Sequence, residues 1–401
     1  MAKEFPCLVV YGPRQVGKST MVNHLFGKDM ATVTLDDIDD RTLALSNPKA
    51  FLDQYPCPVC IDEIQKAPLL LDEIKKRIDI QKIKWLQNNE PYQLMYVLTG
   101  SNQFELQKGV SESLAGRAGI LEMNSLSRAE IQHEDSPFFL PDIEDLKERK
   151  APIPLTRPEV FRLIFQGGMP DYVTGKSSRE NFFKAYLNTY IEKDVRKVLS
   201  VGNETAFRQF LTYAALRTGQ ELHYSDISNA LGTDSKTVKA WFSILESSGL
   251  ILLLQPYFAN LSSRLVKAPK LYFMDTGLCA YLCGWQDANM LEKGVMGGAF
   301  FETYVISEIV KNYQNHGREY KYSFYYYRDT DQREVDLLYL NQGSLTPIEI
   351  KKGINPSNPS KNFSALEKYK MPIRPGLVID CYDKIRPIGD YAYSVPIGYI
   401  G

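Results

Sequence analysis

Gly12-Pro13-Arg14-Gln15-Val16-Gly17-Lys18-Ser19-Thr20 is the stretch that decides the fold of the first part of this chain. The apolar run Cys7-Leu8-Val9-Val10-Tyr11 leads into it, and the helix-compatible run Met21-Val22-Asn23-His24-Leu25-Phe26 follows. The spacing G-x-x-x-x-G-K-S between a strand and a helix is that of a phosphate-binding loop. Glycines let successive backbone N–H groups turn toward phosphate oxygens, and the helix presents its positive end to them. Residues 12–20 are therefore expected to cradle a nucleotide. Lys18 would reach the β- and γ-phosphates, and the Ser19 hydroxyl would ligate Mg²⁺.

Working outward, Ala31-Thr32-Val33-Thr34-Leu35 is a short β-rich run ending in Asp36-Asp37, and a helical stretch passes through Ala50-Phe51-Leu52. Val59-Cys60-Ile61 then runs into Asp62-Glu63. An apolar strand ending in two acids downstream of a phosphate loop is the Walker B pattern. Asp62 would hold Mg²⁺, and Glu63 would orient or deprotonate the attacking water. A helix is expected from about Leu69 to Ile78, then a buried strand over Tyr92–Leu98 that ends in Thr99-Gly100-Ser101-Asn102. Parallel α/β sheets bind ligands at the carboxyl edge of their strands. Thr99, Ser101 or Asn102 would there sense the phosphate or position the water; equally, these residues suit a plain turn. Leu114-Ala115-Gly116-Arg117-Ala118-Gly119 precedes a last strand at Ile120–Met123. Arg117 would approach a nucleotide of its own subunit or of a neighbour as an arginine finger, or else simply be solvated.

Alternating strands and helices imply a doubly wound parallel sheet. Five phrases in this order, Gly12-Pro13-Arg14-Gln15-Val16-Gly17-Lys18, Leu35-Asp36-Asp37, Ile61-Asp62-Glu63-Ile64-Gln65, Leu98-Thr99-Gly100-Ser101 and Leu114-Ala115-Gly116-Arg117, resemble a prokaryotic family of predicted AAA-plus ATPases. Members of that family carry a C-terminal domain of unknown function related to restriction endonucleases. The resemblance implies an ATP- and Mg²⁺-dependent hydrolase acting on DNA. Family members usually carry a leader before the first strand; here that strand begins almost at once, so contacts made by such a leader are not expected.

Length and composition frame the rest. At 401 residues, two or three domains are expected. Net charge is −1, so nucleic-acid binding would need a local basic patch rather than global attraction. No apolar run is long enough to span a bilayer, and the chain enters its first strand too soon for a signal peptide; a cytoplasmic location without a membrane partner is the expectation. Six cysteines are too few for a disulfide scaffold. Cys57-Pro58-Val59-Cys60 is a lone C-x-x-C without a second pair, and reads as buried free thiols rather than zinc ligands.

Residues 133–150 are charged and bracketed by prolines, which suggests an exposed excursion. Asn181–Leu199 has the apolar spacing of a helical lid: Phe182, Phe183, Tyr186, Leu187, Tyr190, Ile191, Val195 and Val198. Residues 204–256 read as a helix, a short helix capped by Ser225, a turn at Gly232-Thr233-Asp234, a helix opened by Ser235, and the strand Leu250–Leu254. That order is a winged helix. Lys236, Thr237, Lys239 and Ser243 would face a groove, with Arg264, Lys267 and Lys270 extending the patch. Winged helices also serve as packing or protein-interaction modules, so DNA contact stays open at this level.

The C-terminal part has a helix over Ala299–Val310, then β-rich runs at Tyr322–Tyr327, Arg333–Leu340 and Leu345–Lys351. Asp336 followed by Glu349-Ile350-Lys351 matches the D…(D/E)-x-K constellation of restriction-type nucleases. Two carboxylates on adjacent strands would hold Mg²⁺, and Lys351, on the strand face of Glu349, would orient water or stabilise phosphorane charge. Glu302 would supply a further acid, as the resemblance implies. A buried ion network that only ties strands together is the competing reading.

The expected organisation is an α/β chain: a P-loop AAA-plus-like ATPase domain over residues 1–132, an acidic linker and helical lid over 133–203, a winged-helix domain over 204–290 and a PD-(D/E)xK nuclease-like domain over 291–401. The alternative is an ATP-switched DNA- or protein-binding regulatory module with an inactive nuclease fold. A scaffold with a structural ATP site is a third option, and homo-oligomer formation is open.

Overall fold

The computed structural model describes residues 1–100, 110, 112–175, 177–190, 204–258, 268–389 and 391–400. The expectations for Ser101, Asn102, Ile191, Val195, Val198, Arg264 and Lys267 lie outside the described residues. The chain divides into two compact units, Met1–Asn124 with Ser247–Gly249, and Ser125–Glu246 with Leu250–Gly401. The two units meet at 124/125. Helix Arg128–Gln132 goes with the second unit, where the Arg128 N–H donates to Glu308 Oε2 at 2.8 Å.

The first unit comprises β1 (Cys7–Tyr11), α1 (Lys18–Phe26), β2 (Ala31–Thr34), α2 (Ile38–Ser46), α3 (Pro48–Gln54), β3 (Val59–Asp62), α4 (Leu70–Asn88), β4 (Tyr96–Gly100) and β5 (Ala118–Glu122). All strand pairs are parallel, in the order β2-β3-β4-β1-β5. Both faces of β1 and β4 are covered, and every residue of these strands is buried, as their unbroken apolar runs require. Helix starts follow side-chain caps: Asp37 accepts from the Asp39 and Asp40 N–H groups, and Asn47 from Ala50 N–H with Pro48 next in line. α4 extends beyond the expected Ile78 because Leu71, Ile74, Ile78 and Trp85 continue one buried stripe as far as the left-handed cap at Asn89. Since the sheet is wholly parallel, the ends of β1, β3 and β4 share one edge.

The second unit begins with α5 (Arg128–Gln132), α6 (Ile143–Glu148), α7 (Arg157–Gln166), α8 (Pro170–Val173), α9 (Arg179–Tyr190) and α10 (Glu204–Leu216). There follow β6 (Gln220–Glu221), α11 (Tyr224–Leu231), α12 (Ser235–Ser247), β7 (Ile251–Leu254) and β8 (Lys270–Phe273), and the three strands pair antiparallel in the order β6-β8-β7. Phe207, Phe210 and Trp241 form the aromatic core that joins α10 to α12. Two caps differ from expectation. Ser225 lies inside α11, and Asp234, not Ser235, caps α12 by accepting from Lys236 and Thr237 N–H at 2.9 Å each.

After α13 (Thr276–Leu282) and α14 (Ala288–Lys293), the long helix α15 (Gly297–Asn315) leads into β9 (Phe324–Arg328), β10 (Glu334–Asn341), β11 (Ser344–Ile350), β12 (Gly376–Asp380), β13 (Arg386–Ile388) and β14 (Ala392–Pro396). These form a mixed sheet in the order β13-β14-β12-β11-β10-β9, antiparallel across β9-β10-β11 and parallel across β11-β12-β14. The expected exposed excursion at 133–150 is instead anchored. Phe139, Ile143 and Leu146 are buried, Phe139 N–H donates to Asn312 Oδ1 at 2.8 Å, and Asp142 pairs with Arg374. Its charges line the outer side of α6 while three apolar side chains fasten the inner side. Of the lone cysteine pair, Cys60 is buried as expected, but Cys57 is exposed, and both are free thiols. No helix among the described residues is long and apolar enough to cross a membrane.

Candidate nucleotide site and C-terminal carboxylate cluster

The loop between β1 and α1 needs its glycines for two different reasons. Gly12 has φ +152°, and a Cβ there would sit 2.0 Å from the Met123 carbonyl oxygen. Gly17 has φ +91° with open space around it, so its requirement is conformational. Gln15 is also left-handed, at φ 59°. Gly17 precedes the first turn of α1 without any side-chain cap, leaving that turn's N–H groups to an anion. Lys18 is 8% exposed, and its ammonium donates to the Gly12 and Pro13 carbonyls at 2.9 and 2.8 Å. Ser19 and Thr20 are exposed at the loop mouth, Pro13 and Val16 are buried, and Arg14 is partly buried. An uncapped helix start, a cradle that a Cβ would fill and an ammonium folded into the loop all suit a nucleotide phosphate chain with Mg²⁺.

β4 lies between β1 and β3, so Thr99 is brought beside Asp62. The fully buried Thr99 hydroxyl donates to Asp62 Oδ1. Glu63 follows at φ 57°, a left-handed turn that redirects the chain directly after β3, and its carboxylate accepts from Gln65 Nε2. Gln65 thus joins the site as a partner of Glu63. Arg117 stands elsewhere. Ala118 is in register with Cys7 and Glu122 with Tyr11, so Arg117 precedes the strand edge opposite the loop. Roughly 20 Å of strand separates the two edges, which removes the same-subunit finger reading. Its guanidinium forks onto Asp79 of α4 at 2.6 and 2.9 Å.

In the second unit, Asp336 on β10 and Glu349 on β11 come together as their spacing predicts. Lys351 Nζ bridges them, 3.3 Å from Asp336 Oδ2 and 2.6 Å from Glu349 Oε1. Asp336 Oδ2 also accepts from Ile350 N–H at 2.8 Å. Glu349 Oε2 is buried without a hydrogen-bond partner. Burial, then the charge of Asp336, push the Glu349 carboxyl up to about 7. An orphaned carboxylate oxygen beside a second acid fits a divalent cation, although no group of three or more His, Cys, Asp or Glu side chains in cation-binding geometry occurs among the described residues.

Glu302 on α15 is engaged differently. Its Oε1 accepts from Lys270 Nζ at 3.1 Å and from Tyr272 Oη at 2.6 Å. Burial raises the Glu302 carboxyl to about 7, with Lys270 opposing and Asp336 adding to the rise. Lys270 also pairs with Glu334. Lys270 is therefore not part of a groove-facing patch: it is 2% exposed and points inward. Burial opposes its charge, but Tyr272, Glu302, Asp336 and Glu334 together hold it well above the ordinary lysine range. Sequence reasoning missed Lys270, Tyr272 and Glu334 as members of this cluster. The one available signal was the alternation Lys270-x-Tyr272, which puts two polar groups on one face of an otherwise apolar strand.

Residues 157–289 and 297–400 match two domains of unknown function, DUF8612 and DUF4143. Two uncharacterized proteins, Rv2008c of Mycobacterium tuberculosis and Mb2031c of Mycobacterium bovis, are each 26% identical over 400 residues, covering 98% of this chain and 81% of theirs. Among solved structures, a Thermotoga maritima RuvB mutant aligns at TM-score 0.30 and 14% identity, over 62% of this chain and 82% of that one. The Aeropyrum pernix ORC2 protein aligns at TM-score 0.32 and 11% identity, over 76% and 89%. Both likenesses are distant. Residues 4–132 match the AAA domain, so the chain is an α/β protein that opens with a nucleotide-binding AAA-type fold, followed by helical and mixed-sheet parts.

Proposed function

We propose that this chain is a Mg²⁺-dependent ATP hydrolase of AAA-plus type that acts on DNA through its second unit. The observation that carries the reading is the Thr99–Asp62 hydrogen bond at the strand edge that also holds the phosphate loop. A threonine reserved for orienting an acid beside such a loop is what a hydrolysing site needs and a purely structural nucleotide site does not. In this reading the loop N–H groups and Lys18 hold the phosphates, and Ser19 and Asp62 hold the metal ion. Mg²⁺ supplies charge neutralisation on the phosphates. Glu63 takes the proton of the attacking water, and Gln65 keeps the Glu63 carboxylate aimed. Steady-state hydrolysis with and without duplex DNA tests this: turnover lost in Lys18→Ala and Glu63→Gln is expected, and turnover that survives both variants overturns it.

For the DNA-directed part, residues 204–290 are read as a winged helix. α12 exposes Lys236, Lys239 and Ser243 on one side, and the β6-β8-β7 sheet stands in the wing position. Residues 291–401 are read as a nuclease-like domain with Asp336, Glu349 and Lys351 in the D…(D/E)-x-K roles. The long α15 and the mixed sheet support that reading, as does the orphaned Glu349 Oε2. A nucleotide-switched binding module with a silent nuclease fold is favoured by a different observation: Lys270 and Lys351 already answer part of the cluster's charge. Metal-dependent DNA cleavage that disappears in Asp336→Ala decides for the nuclease. Absence of cleavage, with DNA affinity that changes between ATP and ADP, decides for the module.

A further inference from the structure

β8 belongs to the three-stranded sheet, outside the segment that matches DUF4143, yet it delivers two side chains into the carboxylate cluster of the C-terminal sheet. Lys270 and Tyr272 are two residues apart, so they share one strand face. Both donate to the same atom, Glu302 Oε1, and Lys270 reaches Glu334 as well. Arg328 approaches the other Glu334 oxygen at 3.5 Å. This half of the cluster has its donors. The Asp336–Glu349 half does not, because Glu349 Oε2 has no partner.

Charge and space lead to the same place. Five carboxylates, Glu221, Glu302, Glu334, Asp336 and Glu349, surround three cations, Lys270, Lys351 and Arg328, the last shared between Glu221 and Glu334, which leaves two negative charges uncompensated. That is the charge of one divalent ion. A hard cation must come within roughly 2.0–2.6 Å of each ligating oxygen. Glu302 Oε1 already takes two donors, at 2.6 and 3.1 Å, and a second cation against it would meet the buried ammonium directly.

We propose that Lys270 is a tethered counter-cation that fills the Glu302–Glu334 half of the cluster. The cluster then accepts a single divalent cation, held by Asp336 and Glu349, and Glu302 is a positioning residue rather than a ligand. This rests on the nuclease-like reading of Asp336 and Glu349. It gives β8 a defined role: the preceding sheet sets the metal stoichiometry of the domain that follows.

The test counts Mn²⁺ ions bound to the full-length chain without nucleotide, from the loss of the free-ion paramagnetic resonance signal. Only ions that Asp336→Asn or Glu334→Gln removes are assigned to the cluster, so weak binding at the phosphate loop cancels. Wild type is expected to bind one such ion, Lys270→Arg one, and Lys270→Met two, the second lost again in Lys270→Met with Glu334→Gln. A folded Lys270→Met protein that still binds one ion, or none, overturns the proposal. If Lys270→Met does not fold, Glu302→Gln decides. Mn²⁺ affinity within about threefold of wild type supports the positioning role, whereas weakening of about tenfold or more makes Glu302 a ligand and overturns it. A wild-type chain with no Asp336-dependent ion instead removes the nuclease-like metal reading underneath.

Discussion

Thr99→Val isolates a single hydrogen bond in the nucleotide site. The side chain is fully buried at the end of β4, and its hydroxyl donates to Asp62 Oδ1 across the β3–β4 pair. Valine fills nearly the same volume and suits a strand, so the sheet should persist with a melting temperature close to that of wild type. What disappears is a hydrogen bond to an ionised group, worth about 1.5–3 kcal/mol. At about 1.4 kcal/mol per factor of ten, Asp62 should hold its metal ion roughly tenfold to a hundredfold less well. The same range is typical when the outer partner of a metal ligand is removed. The assay is ATP hydrolysis as a function of free Mg²⁺. The expected result is a half-saturating Mg²⁺ concentration raised by that factor, with turnover largely recovered at high Mg²⁺. An unchanged Mg²⁺ dependence refutes the argument. Turnover that falls at saturating Mg²⁺ with no change in half-saturation also refutes it, and would put the hydroxyl on the phosphate or the water instead.

Gly12→Ala should lower stability by about 1–3 kcal/mol and abolish nucleotide binding, because its methyl would meet the Met123 carbonyl at 2.0 Å; denaturant titration together with binding of a fluorescent ATP analogue checks both. Glu63→Gln should retain ATP affinity while turnover falls by about 10²–10⁴-fold, measured by single-turnover hydrolysis. Arg117→Ala breaks a partly exposed pair with Asp79, so stability should change by no more than about 1 kcal/mol; turnover at high dilution should be unchanged, and a loss there would restore the same-subunit finger. Burial raises the Asp380 carboxyl from 3.8 to about 6, so the folded state binds the extra proton between those values. Stability should therefore fall as pH rises from about 4 to 6, by at most about 1.4 kcal/mol per pH unit from this group. Melting curves of Asp380→Asn should lack that component.

Local patterns were legible in the sequence. The phosphate loop, the acid pair after β3 and the Asp336…Glu349-x-Lys351 spacing are each set within one or two strands, where chain direction and side-chain alternation place the groups without reference to the rest of the molecule. The strand runs and the order of helices before β7 are local in the same sense, although α4 and α15 outran their expected ends because buried stripes continued past the most apolar residues. The tertiary structure decided what depends on segments distant in sequence. Arg117 and the phosphate loop belong to opposite edges because β5 runs parallel to β1, a fact no spacing encodes. Residues 133–150 look solvated by composition, yet Phe139, Ile143 and Leu146 are buried, with Phe139 N–H bonded to Asn312 of α15 and Asp142 paired with Arg374, residues far away in sequence. Lys270 reads as a surface cation on its own strand; only the approach of α15 and β10 makes it the buried partner of Glu302 and Glu334, since a lysine's place is set by the carboxylates that surround it and not by its neighbours in the chain.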